Sequence, residues 1–316
     1  MKVAVFGAGA VGAHLGARFA SARADVHLIA RGAHLEALRD KGLTLITPDG
    51  VTTHEVWATD DPASIGPVDL VLFCVKSYDT EAAAVRLGPL IGPRTAVLSI
   101  QNGIDNEPKI AAAVGPGHVL GAAVYVIAAI ESPGVVRTGP ARMVIGELEP
   151  GRPSDRVTQI VELARAGGID ASAAADVRVA KWEKYTVLVA FSAMSAATQL
   201  TVGDLRRAPA AVEMLRGIMT EAWTVGRRLG VPLADDLVER QVALLLSQAD
   251  GAGASLRHDL LTGHRMELEA LQGTLKRLAA GHAVQTPWTN AAYAILQPWA
   301  LRNDVATART KEPNRP

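Results

Sequence analysis

The chain has 316 residues, with 32 basic and 32 acidic side chains, a formal net charge of zero, 49% hydrophobic residues and 4% aromatics. Balanced charge leaves no electrostatic footprint for a polyanion, which argues against nucleic acid or an anionic membrane surface as partner and points to a small molecule. A length about twice that of a common domain leaves room for two compact domains.

The first residues, MKVAVFGAGAVG, are too few and too rich in glycine for the apolar core of a signal peptide, and no later stretch approaches the roughly 20 apolar residues that span a bilayer. The single cysteine, Cys74, lies within the apolar run 68–75 and reads as a core thiol. A cytoplasmic protein is therefore expected. Short β-rich runs at 3–6, 26–30, 68–75 and 95–100 alternate with helical patterns at 11–20, 33–39 and 80–87. Such alternation predicts βαβ units and a mostly parallel sheet. Strand-like pieces at 119–127, 134–137 and 142–146, separated by Gly and Pro, are expected to add antiparallel strands at the sheet edge. Helix then dominates, at 176–200, 211–229, 235–247 and 268–280. The predicted organisation is an α/β Rossmann domain over 1–175 and an all-α domain over 176–316, with a disordered tail from Lys311 to Pro316.

Gly7, Gly9 and Gly12 form G-x-G-x-x-G directly after the first strand and at the start of the first helix. The first glycine permits a tight turn, the second lets backbone approach a pyrophosphate, and the third lets helix pack on strand. The helix start at Ala10, Val11 and Gly12 offers N–H groups and the positive end of a dipole. A dinucleotide is the natural ligand. Its type is read at the end of the second strand, where an acid would hold the ribose of NAD; here the residues are Ala30, Arg31 and Gly32. A guanidinium can pair with a 2′-phosphate, so Arg31 favours NADP. Lys76 follows the run 68–75 at a carboxyl strand end, where open α/β sheets bind ligands, although a solvated loop lysine fits the same position.

Several separated motifs then align: GAGAVG at 7–12, Arg31, VKSYDT at 75–80, QNGIDNE at 101–107, KWEKYTVLVAFSA at 181–193 and SLRHDLLTGHRMELEALQG at 255–273. In this order and spacing the sequence resembles the ketopantoate reductase family over nearly its whole length. The resemblance implies a Rossmann domain and a helical domain with a cleft between them, and NADPH-dependent reduction of a 2-keto acid to a 2-hydroxy acid. It implies that Lys184 is the catalytic lysine, Glu267 its acidic partner, Ser255 a substrate-binding serine, and Asn102 an asparagine at both cofactor and active site. The chemistry is coherent: hydride delivered to a keto carbon leaves an alkoxide, which an ammonium can stabilise and protonate.

Alternatives stand beside each assignment. Lys184, beside Lys181 and Glu183, fits a solvated helical lysine when read from the helix alone; Glu269 is the surface counterpart of Glu267; and Ser255 could be a helix N-cap. The chain also departs from the family pattern. Leu188 and Ser192, placed one and two turns after Lys184 and expected to line the substrate site, stand where members carry asparagines. Ala252 stands where an asparagine is frequent, and Trp288 where some members use an acid toward the cofactor. Loss of amide donors in a closed site changes substrate preference, so a related 2-keto acid with a more apolar side chain is expected. His14, His258 and His264 show no metal-binding spacing, no metal is expected, and His14 reads as a packing or surface residue. The same two-domain plan serves 3-hydroxy acid and opine-type dehydrogenases, and a non-catalytic NADPH-sensing protein is the alternative from another class. A homodimer is a base-rate expectation.

Overall fold

The computed structural model describes residues 1–311, so all but the first residue of the tail expected to be disordered lies outside the described residues. The chain folds as two compact units, Met1–Gln101 with Asp105–Ala180, and Asn102–Ile104 with the chain from Lys181 onward.

In the first unit β1 (Lys2–Phe6), α1 (Ala10–Ser21), β2 (Asp25–Ile29) and α2 (Gly32–Lys41) are followed by β3 (Leu43–Thr47), β4 (Gly50–His54), β5 (Trp57–Thr59) and β6 (Leu70–Phe73). Then come α3 (Thr80–Ala84), β7 (Ala96–Ser99), α4 (Asn106–Val114), β8 (Val119–Tyr125), β9 (Ala128–Ser132), β10 (Val135–Thr138), β11 (Arg142–Glu147), α5 (Asp155–Ala166) and β12 (Asp170–Ala173). Among the described residues an eight-stranded sheet runs in the order β12-β11-β8-β7-β6-β1-β2-β5. It is parallel from β8 to β5, and β11 joins β8 antiparallel at the far side.

Period-two geometry sorts the central strands between two cores. Val3, Val5, Leu70 and Leu72 enter one apolar cluster, while Ala4, Phe6, Val71 and Phe73 enter the other. Every residue of β6 and β7 is buried, as expected of strands covered on both faces. This explains why those strands read as unbroken apolar runs.

Two of the strands expected to add antiparallel at the sheet edge depart from that reading: β8 runs parallel to β7, and β10 lies in another sheet. The strand expected at 134–137, here β10, does not extend the main sheet. With β9 it joins β3 and β4 in a separate four-stranded sheet, order β4-β3-β10-β9, whose β3–β10 pair is parallel. Residues of β4 are mostly exposed, so an apolar pattern was never there to reveal it. Helix α5, opened by Ser154, whose hydroxyl accepts from the Val157 N–H, and strand β12 complete the far side of the main sheet in a stretch for which the sequence reading named no element.

Among the described residues the second unit contains helices and no strand: α6 (Val177–Thr198), which begins in the last residues of the first unit, then α7 (Val202–Arg206), α8 (Pro209–Arg228), α9 (Leu237–Leu246), α10 (Ser255–Thr262), α11 (Thr274–Gly281) and α12 (Pro287–Lys311). Helix α8 starts with Pro at its first position and ends in Arg227 and Arg228, and it buries Leu215, Ile218, Met219, Ala222 and Val225 at helical spacing. Its Glu221 reaches across to the start of α12, accepting from the Trp288 and Thr289 N–H groups at 2.8 and 2.9 Å and from the Thr289 hydroxyl. The helix expected at 268–280 is not uniform. It opens as a π-helical turn, Glu269–Gly273, in which the Gly273 N–H reaches the Leu268 carbonyl at 3.0 Å, before α11 begins.

Candidate functional site

The glycine-rich turn is built by close contacts that only glycine allows. Gly7 has φ +97°, and a Cβ there would lie 2.9 Å from the Val75 side chain; a Cβ on Gly12 would lie 2.4 Å from the Gly7 carbonyl oxygen. At Gly9, by contrast, a Cβ would meet nothing within 4 Å. The first and third glycines are therefore required by the protein's own packing. The second faces open space, which suits close approach by a ligand. The N–H groups of Gly7 and Ala8 bind the Ile29 carbonyl, fixing the turn to the end of β2. Helix α1 then begins at Ala10 and Val11, with Gly9 as its N-cap, no side chain closing that end and no acid in its first turn, so it is electrostatically open to an anion. These residues fit a dinucleotide pyrophosphate.

Arg31 is exposed and caps α2 immediately after β2. Lys76 is exposed just after β6, at the same carboxyl edge of the sheet. The loops around it are pinned by a buried amide and hydroxyl network that the sequence reading missed. The Gln101 amide donates to the Val75 carbonyl at 3.0 Å and to Thr80 Oγ1 at 2.7 Å, and the Thr80 hydroxyl lies 3.1 Å from Asn106 Oδ1. The motifs VKSYDT and QNGIDNE contained these residues, but only their charged and loop members suggested chemistry. His14 is fully buried, and neither ring nitrogen has a hydrogen-bond partner; burial first, and then Arg18, lower its pKa to about 4. It is a packing residue. Burial pushes the Cys74 thiol far up, leaving it inert.

In the second unit Lys184, on α6, donates to Asn102 Oδ1 at 2.7 Å, joining residues 82 positions apart. Burial lowers the ammonium's pKa to about 8; Lys181, one turn earlier and itself buried, pushes the same way, and Glu267 pulls back. Glu267 is 8% exposed and lies in irregular backbone just before the π-helical turn. Asn102, Lys184, Lys181 and Glu267 thus form one electrostatic group. Glu269 is a surface residue, paired with Arg277 at 3.1 Å and accepting from the Tyr293 hydroxyl.

The other expected site residues separate. Leu188 is half-buried, whereas Ser192 is fully buried, its oxygen accepting from the Gln272 amide at 2.9 Å. At 3.6 residues per turn Leu188 lies about 40° from the Lys184 direction and Ser192 about 80° from it, while Phe191 lies only about 20° away. The half-buried Phe191, not Ser192, continues the row of Lys184 and Leu188; a seven-residue count would have found it. Ser255 is exposed at the first position of α10, where Ala254 is the N-cap and no side chain caps, so the N-cap reading of the serine does not hold. Ala252 is half-buried, and its carbonyl binds the Val202 N–H. The Trp288 ring packs over Gly217, where a Cβ would lie 2.4 Å from it. Among the described residues no group of three or more His, Cys, Asp or Glu could hold a metal, and no helix is long and apolar enough to cross a membrane.

Residues 3–150 match the family profile described as "Ketopantoate reductase PanE/ApbA", and residues 176–300 match its C-terminal counterpart. The chain belongs to the ketopantoate reductase family. It is accordingly an oxidoreductase acting on CH–OH groups. It is 34% identical over 291 residues to a 2-dehydropantoate 2-reductase of Halobacterium salinarum, covering 91% of this chain and 95% of that protein. Identity to the 2-dehydropantoate 2-reductase of Mesorhizobium japonicum is 30% over 331 residues, covering 95% and 98%. A crystal structure of a PanE/ApbA family ketopantoate reductase from Ralstonia eutropha JMP134 superposes with a TM-score of 0.89 at 33% identity, over 96% of this chain and all of that one.

Proposed function

We propose that this ketopantoate reductase family member is an NADPH-dependent reductase of a small 2-keto acid with an apolar side chain, with 2-dehydropantoate retained as a poorer substrate. The observation that carries the reading is Lys184, held by Asn102 and given a pKa of about 8, in the range that suits a general acid near neutral pH. The glycine turn, with Gly7, Gly9, Ala10, Val11 and Gly12, would hold the pyrophosphate; Arg31 would face the 2′-phosphate, Lys76 would contact the cofactor from the carboxyl end of β6, and Asn102 would serve both cofactor and substrate. When bound, the reduced nicotinamide supplies the hydride.

The residues of this chain then manage charge and proton. As the C–H bond forms and the C=O π bond breaks, the electron pair passes to oxygen, where the Lys184 ammonium stabilises it and gives up its proton, leaving a C–OH group and a neutral amine. With a pKa near 8, roughly nine-tenths of Lys184 is protonated at pH 7. Glu267 favours the charged form and Lys181 opposes it. Leu188, which stands where family members carry an amide, and Phe191, in a row with Lys184 and Leu188, present apolar surface, which supports an apolar substrate side chain. Ser255, exposed at the start of α10, is assigned to the substrate carboxylate.

The test is oxidation of NADPH by the purified protein with 2-dehydropantoate and a graded panel of 2-keto acids, repeated with NADH and with Lys184→Ala. Turnover is expected to favour NADPH and branched apolar keto acids and to collapse in the variant. Binding of NADPH without turnover of any keto acid would refute the reading and favour a sensor.

A further inference from the structure

Lys184 and Glu267 arrive from elements of different kind. The lysine is on a long regular helix, and the glutamate is on irregular chain that ends in a π-helical turn. A π-turn carries one extra residue per turn, changes which carbonyls are left without helical donors, and is frequent at functional sites. Glu267 is tied to that turn through its own backbone, since its carbonyl accepts from the Leu271 N–H at 3.2 Å. Two side chains in turn tie the π-turn to α6. The Tyr185 hydroxyl, next in chain to Lys184, donates to the Leu271 carbonyl at 2.7 Å. The Gln272 amide, fully buried, donates to the Val189 carbonyl at 2.8 Å and to Ser192 Oγ at 2.9 Å.

Tyr185, Val189 and Ser192 stand at i, i+4 and i+7, so they form one row on α6, beside the row of Lys184, Leu188 and Phe191. Tyr185 is itself 1% exposed and stacks edge-on to Trp182 at 5.5 Å, which fixes its ring. One face of α6 thus grips the π-turn, and the neighbouring face presents the lysine.

We propose that Tyr185 and Gln272 are positioning residues that set the placement of Glu267 relative to Lys184. The proposal rests on the reading of Lys184 as the proton donor. The charges acting on that ammonium are Lys181 on α6 and Glu267 before the π-turn, and only the second moves if the grip on the turn is loosened.

The experiment uses the full-length protein with NADPH and its best 2-keto acid. Tyr185→Phe removes one hydroxyl, and Gln272→Met removes the amide at nearly constant volume. Each is expected to lower kcat about tenfold with KM for NADPH unchanged, and to move the alkaline limb of the pH profile toward lower pH as Glu267 loses its hold on the lysine. In a Glu267→Gln background the same changes are expected to cost less than twofold, because the group they position is gone. Equal losses in both backgrounds with an unmoved alkaline limb would overturn the proposal and leave the two residues as ordinary packing. Should Gln272→Met fail to fold, Tyr185→Phe decides alone. Failure of the underlying reading looks different: a Lys184→Ala enzyme with near wild-type turnover removes the proton donor, and the positioning proposal falls with it.

Discussion

On the proposal that Lys184 is the proton donor, one buried lysine links the reaction to stability, and Lys184→Met tests that link. The native pKa of about 8 lies below the ordinary value of 10.5, so between those limits the unfolded chain binds a proton that the native protein does not. Stability therefore rises with pH across this window, and the charge is held at a cost below pH 8. At about 1.4 kcal/mol for each pH unit, the gap amounts to roughly 3 kcal/mol in full and roughly 2 kcal/mol between pH 6.5 and 9.5. Urea unfolding over that range should show the wild type gaining roughly 2 kcal/mol on Lys184→Met as pH rises, with the variant inactive throughout. In the same window wild-type kcat/KM for keto acid reduction should fall through a limb near pH 8 as the ammonium is lost. Parallel stability curves, or an alkaline limb above pH 10, would refute the assignment of a desolvated lysine acid.

Lys181→Met removes a like charge and should raise the alkaline limb, whereas Glu267→Gln should lower it; rate profiles against pH for both variants give opposite displacements if the electrostatic group is as described. Gly9→Ala should leave the melting temperature within about 2 °C of wild type while weakening NADPH binding at least tenfold, because its methyl group meets no protein atom; Gly12→Ala, which drives a methyl into the Gly7 carbonyl, should cost about 2 kcal/mol or more in urea titration. Leu188→Asn should raise kcat/KM for 2-dehydropantoate relative to an apolar analogue by about tenfold, the effect of one added hydrogen bond, measured by direct competition of the two substrates. The folded His14 excludes a proton until about pH 4 while the unfolded ring takes one near 6.5, so roughly 3 kcal/mol of stability should disappear as pH falls through that window. His14→Leu should flatten this slope in acid unfolding.

The legible parts of the fold were those with a strong burial pattern. β6 and β7 are buried on both faces and appear as unbroken apolar runs, and the glycine turn announces itself because packing at Gly7 and Gly12 tolerates no side chain. The small sheet was not legible because β4 and β9 are largely exposed and rich in polar or small residues, and because its parallel β3–β10 pair joins segments about ninety residues apart. The site shows the same division. Lys184, Asn102 and Glu267 were singled out through the family resemblance, and the structure brings the three together, but the partners of Ser192, Tyr185 and Gln272 depend on tertiary contacts. The π-turn was hidden for a further reason: a shift of one residue in hydrogen-bond register leaves side-chain composition unchanged. Counting turns coarsely from Lys184 favoured Ser192, when the angular drift of the helix favours Phe191.

The strand that leads into the glycine turn sits in the middle of the sheet. β1 pairs with β2 on one side and with β6 on the other, and the glycine turn closes only when Val75 and Cys74 lie against Gly7 and Gly12. A nascent chain that has passed β2 holds the residues of the nucleotide motif but lacks the wall that shapes it. The β3–β4 hairpin must likewise wait for β10 before its open edge is covered. Dinucleotide affinity thus becomes a clock for synthesis: a ribosome-stalled series should stay blind to NADPH until β6 has emerged, although the motif itself was translated long before.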